Sequence, residues 1–168
     1  ASKHTKARIT GIDISQGMLD IGNEKIIKKG LTSRINLQLA DSENLPFDDN
    51  SFDALTAGFG VRNFENLNKG LSEMNRTLKT GGVAVILEPS TPTSFPLKQC
   101  YNLYFHYILP FAGGIISKDK SAYTYLPSSV ATFPSGRSFI TELKKAGFRN
   151  CEHIPLTFGI VSLYIAIK

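Results

Sequence analysis

The sequence has no tryptophan, two methionines and two cysteines in 168 residues. Cys100 and Cys151 lie far apart with no second Cys or His at metal-ligand spacing, which excludes a disulfide framework and predicts no metal site. Reduced thiols of a cytoplasmic protein are the plain reading. His4, His106 and His153 are scattered, and a lone histidine is more often structural than catalytic. No apolar run approaches the roughly 20 residues that a membrane-spanning helix needs, and Ala1-Ser2-Lys3-His4-Thr5-Lys6 has no apolar signal region. No charge run exceeds the Lys28-Lys29 pair, so the formal charge of +5 is spread along the chain and gives no nucleic-acid footprint. It suits an anionic membrane surface or an acidic cofactor. Neither an internal repeat nor a G-x-G-x-x-G pattern occurs.

What is present alternates. The apolar content of 42% supports one domain with a core,. Arg8 to Ile14 reads as a short buried strand, and Ser15 as the N-cap of a helix whose Met18, Leu19, Gly22 and Ile26 share a face. Lys28-Lys29-Gly30 gives that helix a basic last turn and a glycine stop. Ile35 to Ala40 is the next strand, followed by turn chemistry at Leu45-Pro46-Phe47-Asp48-Asp49-Asn50. Ser51 to Ala57 is a third strand. Leu67, Leu71, Met74 and Leu78 mark a helix face that Gly81-Gly82 is expected to end. Val83 to Leu87 is an apolar run of strand length, as in a parallel sheet covered on both faces. From Thr91 to Phe133 the rhythm breaks into a Pro- and aromatic-rich stretch that reads as a mainly helical insertion or lid. A helix face at Phe139, Ile140, Leu143 and Ala146 follows, closed by Gly147. Cys151 to Pro155 and Phe158 to Ile167 are expected as a terminal hairpin joined tightly at Leu156-Thr157. The pattern predicts an α/β sandwich with ligands at the carboxyl ends of the strands.

The candidate site residues follow from those strand ends. Asp13 stands beside a helix N-terminus, where doubly wound folds place an acid that binds a ribose, although an aspartate there also serves as a cap. Asp41 with Ser42 occupies the equivalent place after the next strand. Gly58-Phe59-Gly60-Val61-Arg62-Asn63-Phe64 combines glycines that let a ligand approach the backbone with polar groups flanked by aromatics. Its alternative is a surface loop whose arginine pairs with a carboxylate. Tyr101, Tyr104, Phe105 and Ile108 at helical spacing suit a core face as well as a ligand contact.

In order, Gly-Ile-Asp-Ile-Ser-Gln-Gly-Met-Leu at 11–19, Ala-Asp-Ser-Glu-Asn-Leu-Pro-Phe-Asp-Asp-Asn-Ser-Phe-Asp at 40–53 and Gly-Phe-Gly-Val-Arg-Asn at 58–63 resemble class I S-adenosylmethionine methyltransferases. Arg76-Thr77-Leu78-Lys79-Thr80-Gly81-Gly82-Val83-Ala84-Val85-Ile86-Leu87-Glu88-Pro89-Ser90 is similar to the signature of the ubiquinone/menaquinone C-methyltransferases, with Thr80 where that family usually has Pro. Phe105 to Pro110, Ser121 to Leu126 and Ala146-Gly147-Phe148 extend the likeness to the C-terminus.

The resemblance implies a Rossmann-like class I methyltransferase domain over 1–168 with a lid at about 91–133 and a C-terminal antiparallel hairpin. The first strand found here corresponds to the family's second, so the domain is expected to lack the first strand and Gly-rich loop, to expose sheet edges open to homo-oligomer formation, and to be inactive alone. Asp13 would bind the cofactor ribose, and Asp41 with Ser42 would meet the adenine. Gly58 stands where some members carry a Ser near the cofactor. The implied reaction moves a methyl from S-adenosylmethionine to a ring carbon of a polyprenylated hydroquinone, with Arg62 stabilising the phenolate, Asn63 orienting the ring and His106, Tyr123 and Tyr125 in the quinol pocket. The implied location is cytoplasmic and peripheral at the inner face of the membrane. A non-catalytic subunit of a quinone-synthesis complex is the alternative.

Overall fold

The computed structural model describes residues 7–103 and 129–168. Strand β1 (Ile9–Asp13) leads through Ser15 into helix α1 (Gln16–Lys28) and strand β2 (Ile35–Leu39). The Ser15 side chain accepts the Met18 N–H, as an N-cap should, and Gly30 takes the left-handed conformation (φ +64°) that stops the helix,. β1 and β2 run parallel, and α1 closes over them because Gly11 and Gly22 leave room for Leu37. A Cβ at either glycine would fall within 2.7 Å of a Leu37 methyl. Leu19 is the buried residue of α1, whereas Met18, expected on the same face, is exposed.

The remaining strands, β3 (Phe52–Gly58), β4 (Leu78–Pro89), β5 (Arg149–Leu156) and β6 (Val161–Ile167), form a separate four-stranded sheet in the order β3-β4-β6-β5. β3 and β4 are parallel, while β6 lies antiparallel to β4 and β5. Among the described residues, no strand joins β1 to β3. Helices α2 (Leu67–Thr77) and α4 (Arg137–Lys145) cover one face of the sheet, and α3 (Leu97–Leu103) follows β4. Leu71 and Met74 of α2, Phe139 and Leu143 of α4, and Ala84, Ile86, Tyr164 and Ala166 of the sheet make the core. Phe139 meets Tyr164 edge-on at 4.6 Å between ring centroids,. Gly70 is required for this packing, because a Cβ there would overlap the Phe64 ring.

Two expected boundaries differ. Helix α2 ends at Thr77 and β4 begins at Leu78, so Gly81-Gly82 lie inside the strand, at a register shift against β3. The stop is supplied from elsewhere in the chain: Asn50 N–H and Ser51 N–H bond the carbonyls of Arg76 and Thr77, and Lys168 Nζ reaches the carbonyls of Arg76 (3.0 Å) and Leu78 (2.7 Å). Pairing with β3 and β6 then holds the chain extended where a local glycine signal suggested a terminus. Similarly, Phe158 is part of the hairpin turn and not of β6: Thr157, Phe158 and Gly159 all have positive φ (47°, 57° and 89°).

Candidate functional site

The carboxyl ends of the parallel strands gather the expected polar residues. Asp13 closes β1 and faces Leu39 in register, so Asp41 follows two residues beyond it on the neighbouring strand. Asp13 Oδ1 accepts the Ser15 N–H at 2.8 Å, and Asp41 Oδ1 accepts the Glu43 N–H at 2.8 Å. Each carboxylate is therefore fixed by its own loop while Oδ2 has no partner among the described residues. Two carboxylate oxygens at the ends of neighbouring strands suit hydroxyl and amino donors such as those of a nucleoside, whereas the helix cap considered for Asp13 is supplied by Ser15,.

Gly58 ends β3 against Leu87 of β4. A Cβ on Gly58 or Gly60 would meet no atom within 4 Å, so the space above this strand end is open to a ligand. The next residues form a 3-10 turn, Val61–Asn63, with Val61 buried and Asn63 exposed.

That turn is anchored by a residue to which the sequence pattern assigns no role. The side chain of Glu88, near the end of β4, is completely buried. Its Oε1 accepts the Val61 N–H at 2.7 Å, and its Oε2 lies 3.2 Å from Arg62 Nη1. Arg62 Nη1 also donates to the Phe59 carbonyl, and its Nε is buried with no partner among the described residues. Burial pushes the Glu88 carboxyl above its ordinary value, opposed by the Val61 N–H and then by the Arg62 guanidinium,. Because both carboxylate oxygens face donors, the ionised form is the one that fits. Both readings of Arg62 meet here, since it pairs with a carboxylate and that pair is almost wholly desolvated.

The two strand pairs are joined at their loops. Glu43 Oε1 accepts the Asn66 N–H at 2.9 Å, and Glu73 Oε2 accepts the Leu45 N–H at 2.8 Å. These bonds bring the Asp41-Ser42 loop beside the turn that carries Arg62. Arg76 completes the tie: its Nε, Nη1 and Nη2 reach both oxygens of Glu73, Asp49 Oδ1 and the carbonyls of Leu45 and Phe47, all within 3.0 Å. The five N–H donors of a guanidinium are thereby matched. Arg76 holds the Glu73 carboxyl below its ordinary value.

Behind Glu88, the covered face of the sheet turns from apolar to polar. Ser162 is the register partner of Glu88. Its hydroxyl donates to Ser90 Oγ at 2.9 Å, Ser90 donates to the Gly159 carbonyl at 2.8 Å, and His153 Nε2 lies 2.8 Å from Ser162 Oγ. Since the Ser162 proton points to Ser90, His153 must donate, which fixes its Nε2–H tautomer. Burial lowers the His153 pKa. The histidine thus takes part in a hydrogen-bond chain with Ser162 and Ser90.

His106, Tyr123 and Tyr125 lie outside the described residues. Among those described, no group of three or more His, Cys, Asp or Glu could hold a metal ion, and no helix is long and apolar enough to cross a membrane. Glu88, Glu43 and Glu73 were legible only as charges. A sharper signal was available for Glu88, because an acid directly after an apolar run of strand length is seldom buried without a partner.

A model of the ubiE/COQ5 methyltransferase family matches residues 1–168. The chain is 48% identical to a demethylmenaquinone methyltransferase of Bacteroides fragilis over 96% of its own length and 66% of that relative. It is 46% identical to a ubiquinone/menaquinone biosynthesis C-methyltransferase of Geotalea daltonii over 95% of its length and 68% of the relative. The chain thus spans about two thirds of the curated relatives it matches. A solved SAM-dependent methyltransferase of Aquifex aeolicus superposes with a TM-score of 0.68 at 17% identity, over 98% of this chain and 71% of that one, a likeness of fold.

Proposed function

The chain belongs to the ubiE/COQ5 methyltransferase family, and we propose that it transfers a methyl group from S-adenosylmethionine to a ring carbon of a polyprenylated hydroquinone in quinone biosynthesis, the naphthoquinol of menaquinone first. The observation that carries this reading is the desolvated Arg62, held at a strand end beside an open glycine loop. A ring carbon is a poor nucleophile until a ring hydroxyl gives its proton to water and the phenolate charge delocalises onto the ortho carbon; that carbon would take the methyl as S-adenosylhomocysteine leaves with the sulfonium bond pair, and its hydrogen would pass to water as a proton to restore the aromatic ring. A guanidinium in a low-dielectric setting favours that ionisation far more than one in water. Arg62 is assigned this role, with Asn63 orienting the ring.

When bound, the cofactor supplies an electrophilic methyl on a sulfonium. The residues present fit it: Asp13 offers Oδ2 to the ribose hydroxyls, Asp41 with Ser42 meets the adenine, and Gly58 keeps the passage between the loops clear of a side chain. Alignment of methyl and ring carbon then accounts for much of the rate.

For the substrate's lipid tail we assign the aromatic-rich segment 91–133 as a lid at the membrane surface, and His106, Tyr123 and Tyr125 as candidate quinol-binding residues. The protein is then peripheral at the cytoplasmic face. Equal flotation with liposomes by proteins with and without the segment would exclude it as the contact. For the reaction, the chain preceded by the N-terminal part of the Bacteroides relative is incubated with methyl-labelled cofactor and a demethylmenaquinol analogue. Label in the ring is expected. Tight cofactor binding without transfer would favour a non-catalytic subunit instead.

A further inference from the structure

The arrangement around Glu88 assigns unequal tasks to the nitrogens of Arg62. Nη1 serves two acceptors, the Glu88 carboxylate at 3.2 Å and the Phe59 carbonyl. Nε, equally shielded from water, serves none among the described residues. A buried N–H without an acceptor is unfavourable unless a ligand supplies one. Glu88 meanwhile grips the turn at a second point, the Val61 N–H at 2.7 Å. Both carboxylate oxygens are taken by donors of the turn, so Glu88 has no lone oxygen to offer a substrate. It can determine where the guanidinium points.

We propose that Glu88 is the positioning residue for Arg62: by engaging Nη1 and the Val61 N–H, it presents the Arg62 Nε–H as the donor for the substrate's ring oxygen as that oxygen becomes an anion. This rests on the reading of Arg62 as the group facing that oxygen. The pair is neutral overall, so the site does not collect stray anions. A directed N–H bond, not net positive charge, then selects the phenolate. The turn, the guanidinium and the carboxylate form one unit whose geometry is set from β4.

The test uses 2-naphthol, whose anion has its own absorption band, titrated with pH in the presence of the protein preceded by the N-terminal part of the Bacteroides relative. In the wild type, bound naphthol is expected to ionise at lower pH than free naphthol. Glu88→Gln keeps an acceptor for the Val61 N–H but turns an amide toward Nη1, so naphtholate affinity is expected to fall about tenfold, the scale of one hydrogen bond to a charged group. If Glu88 were merely a counter-charge, its neutralisation would leave Arg62 more positive and naphtholate would bind as well or more tightly. That outcome overturns the assignment of Glu88 alone. Should Glu88→Gln fail to fold, Arg62→Lys retains the ion pair but has no Nε. An unchanged affinity in that variant overturns the proposal equally. A wild-type protein that leaves the ionisation of naphthol unmoved, or does not bind it, removes the reading of Arg62 and this inference together.

Discussion

The two parallel strand pairs of this molecule are built to different standards of packing. Around β3 and β4, the sheet carries the core: Leu71, Leu78, Ala84, Phe139 and Leu143 are all fully enclosed. Around β1 and β2, Leu19 is the buried apolar side chain, while Ile14, Met18, Ile21, Ile27 and Leu39 are each at least half exposed. Hydrophobic stabilisation scales with apolar area removed from water, so the first region holds the fold and the second is held by it. The difference follows the assigned chemistry. Arg62, which in the proposed reaction keeps one orientation against a developing charge, sits on a turn that Glu88 ties to the well-packed sheet. Asp13 and Asp41, the proposed contacts to a cofactor that must come and go, lie at the ends of the less buried pair. Regions that bind and release ligands are commonly drawn from the less stable part of a structure.

The contrast can be broken by mutation. Phe139→Ala removes the ring that packs against Tyr164 and Phe133 and is expected to lower unfolding stability by about 3–5 kcal/mol in denaturant titration. Ile21→Ala, on the exposed side of α1, is expected to change it by less than about 0.5 kcal/mol. Similar losses from the two would end the distinction. Arg76→Met leaves the carbonyls of Leu45 and Phe47 and Oε1 of Glu73 without their donor, and Oε2 with the Leu45 N–H alone, for an expected loss of about 2–3 kcal/mol,.

The same variant sharpens the pH dependence. Glu73 is held below its ordinary 4.5 in the fold by Arg76. Its contribution to stability is full above that value and is lost as pH falls through the lower folded pKa. His153 adds to the acid side, since its folded pKa lies below the usual 6.5 and its stabilisation fades as pH falls under that value,. Melting followed from pH 7 to pH 3 should decline in the wild type and decline less steeply below pH 4.5 in Arg76→Met. Lys168→Ala, which uncovers the carbonyls at the end of α2, is expected to lose about 1 kcal/mol,. Smallest in energy but most direct, amide exchange should be faster in β1 and β2 than in β4 and β6. Equal protection would mean that the strand pairs open together.

Periodicity and caps made most of this fold legible. Ser15, Gly30 and the apolar faces of α2 and α4 are local signals, and the helices they mark are present. What was illegible was long-range. The end of α2 is set by Asn50, Ser51 and Lys168, which no window around Gly81 contains. The turn at Thr157–Gly159 holds non-glycine residues at positive φ, against their local preference, because the Ser90 N–H donates to the Ile160 carbonyl and the Ser90 hydroxyl to the Gly159 carbonyl,. For the site, Asp13, Asp41 and the Gly58 loop were visible as strand ends. Glu88 was not, because a partner 26 residues away in sequence becomes adjacent only through the β3–β4 pairing.

Calorimetric titration of S-adenosylhomocysteine tests the central claim most directly, using the chain preceded by the N-terminal part of the Bacteroides relative and the same protein with Asp13→Asn. The account predicts binding by the first and about tenfold weaker binding by the second, the scale expected when a charged hydrogen-bond acceptor is neutralised. Absence of binding by the first would contradict the cofactor assignment, and equal affinity of the two would contradict the role of Asp13 in it.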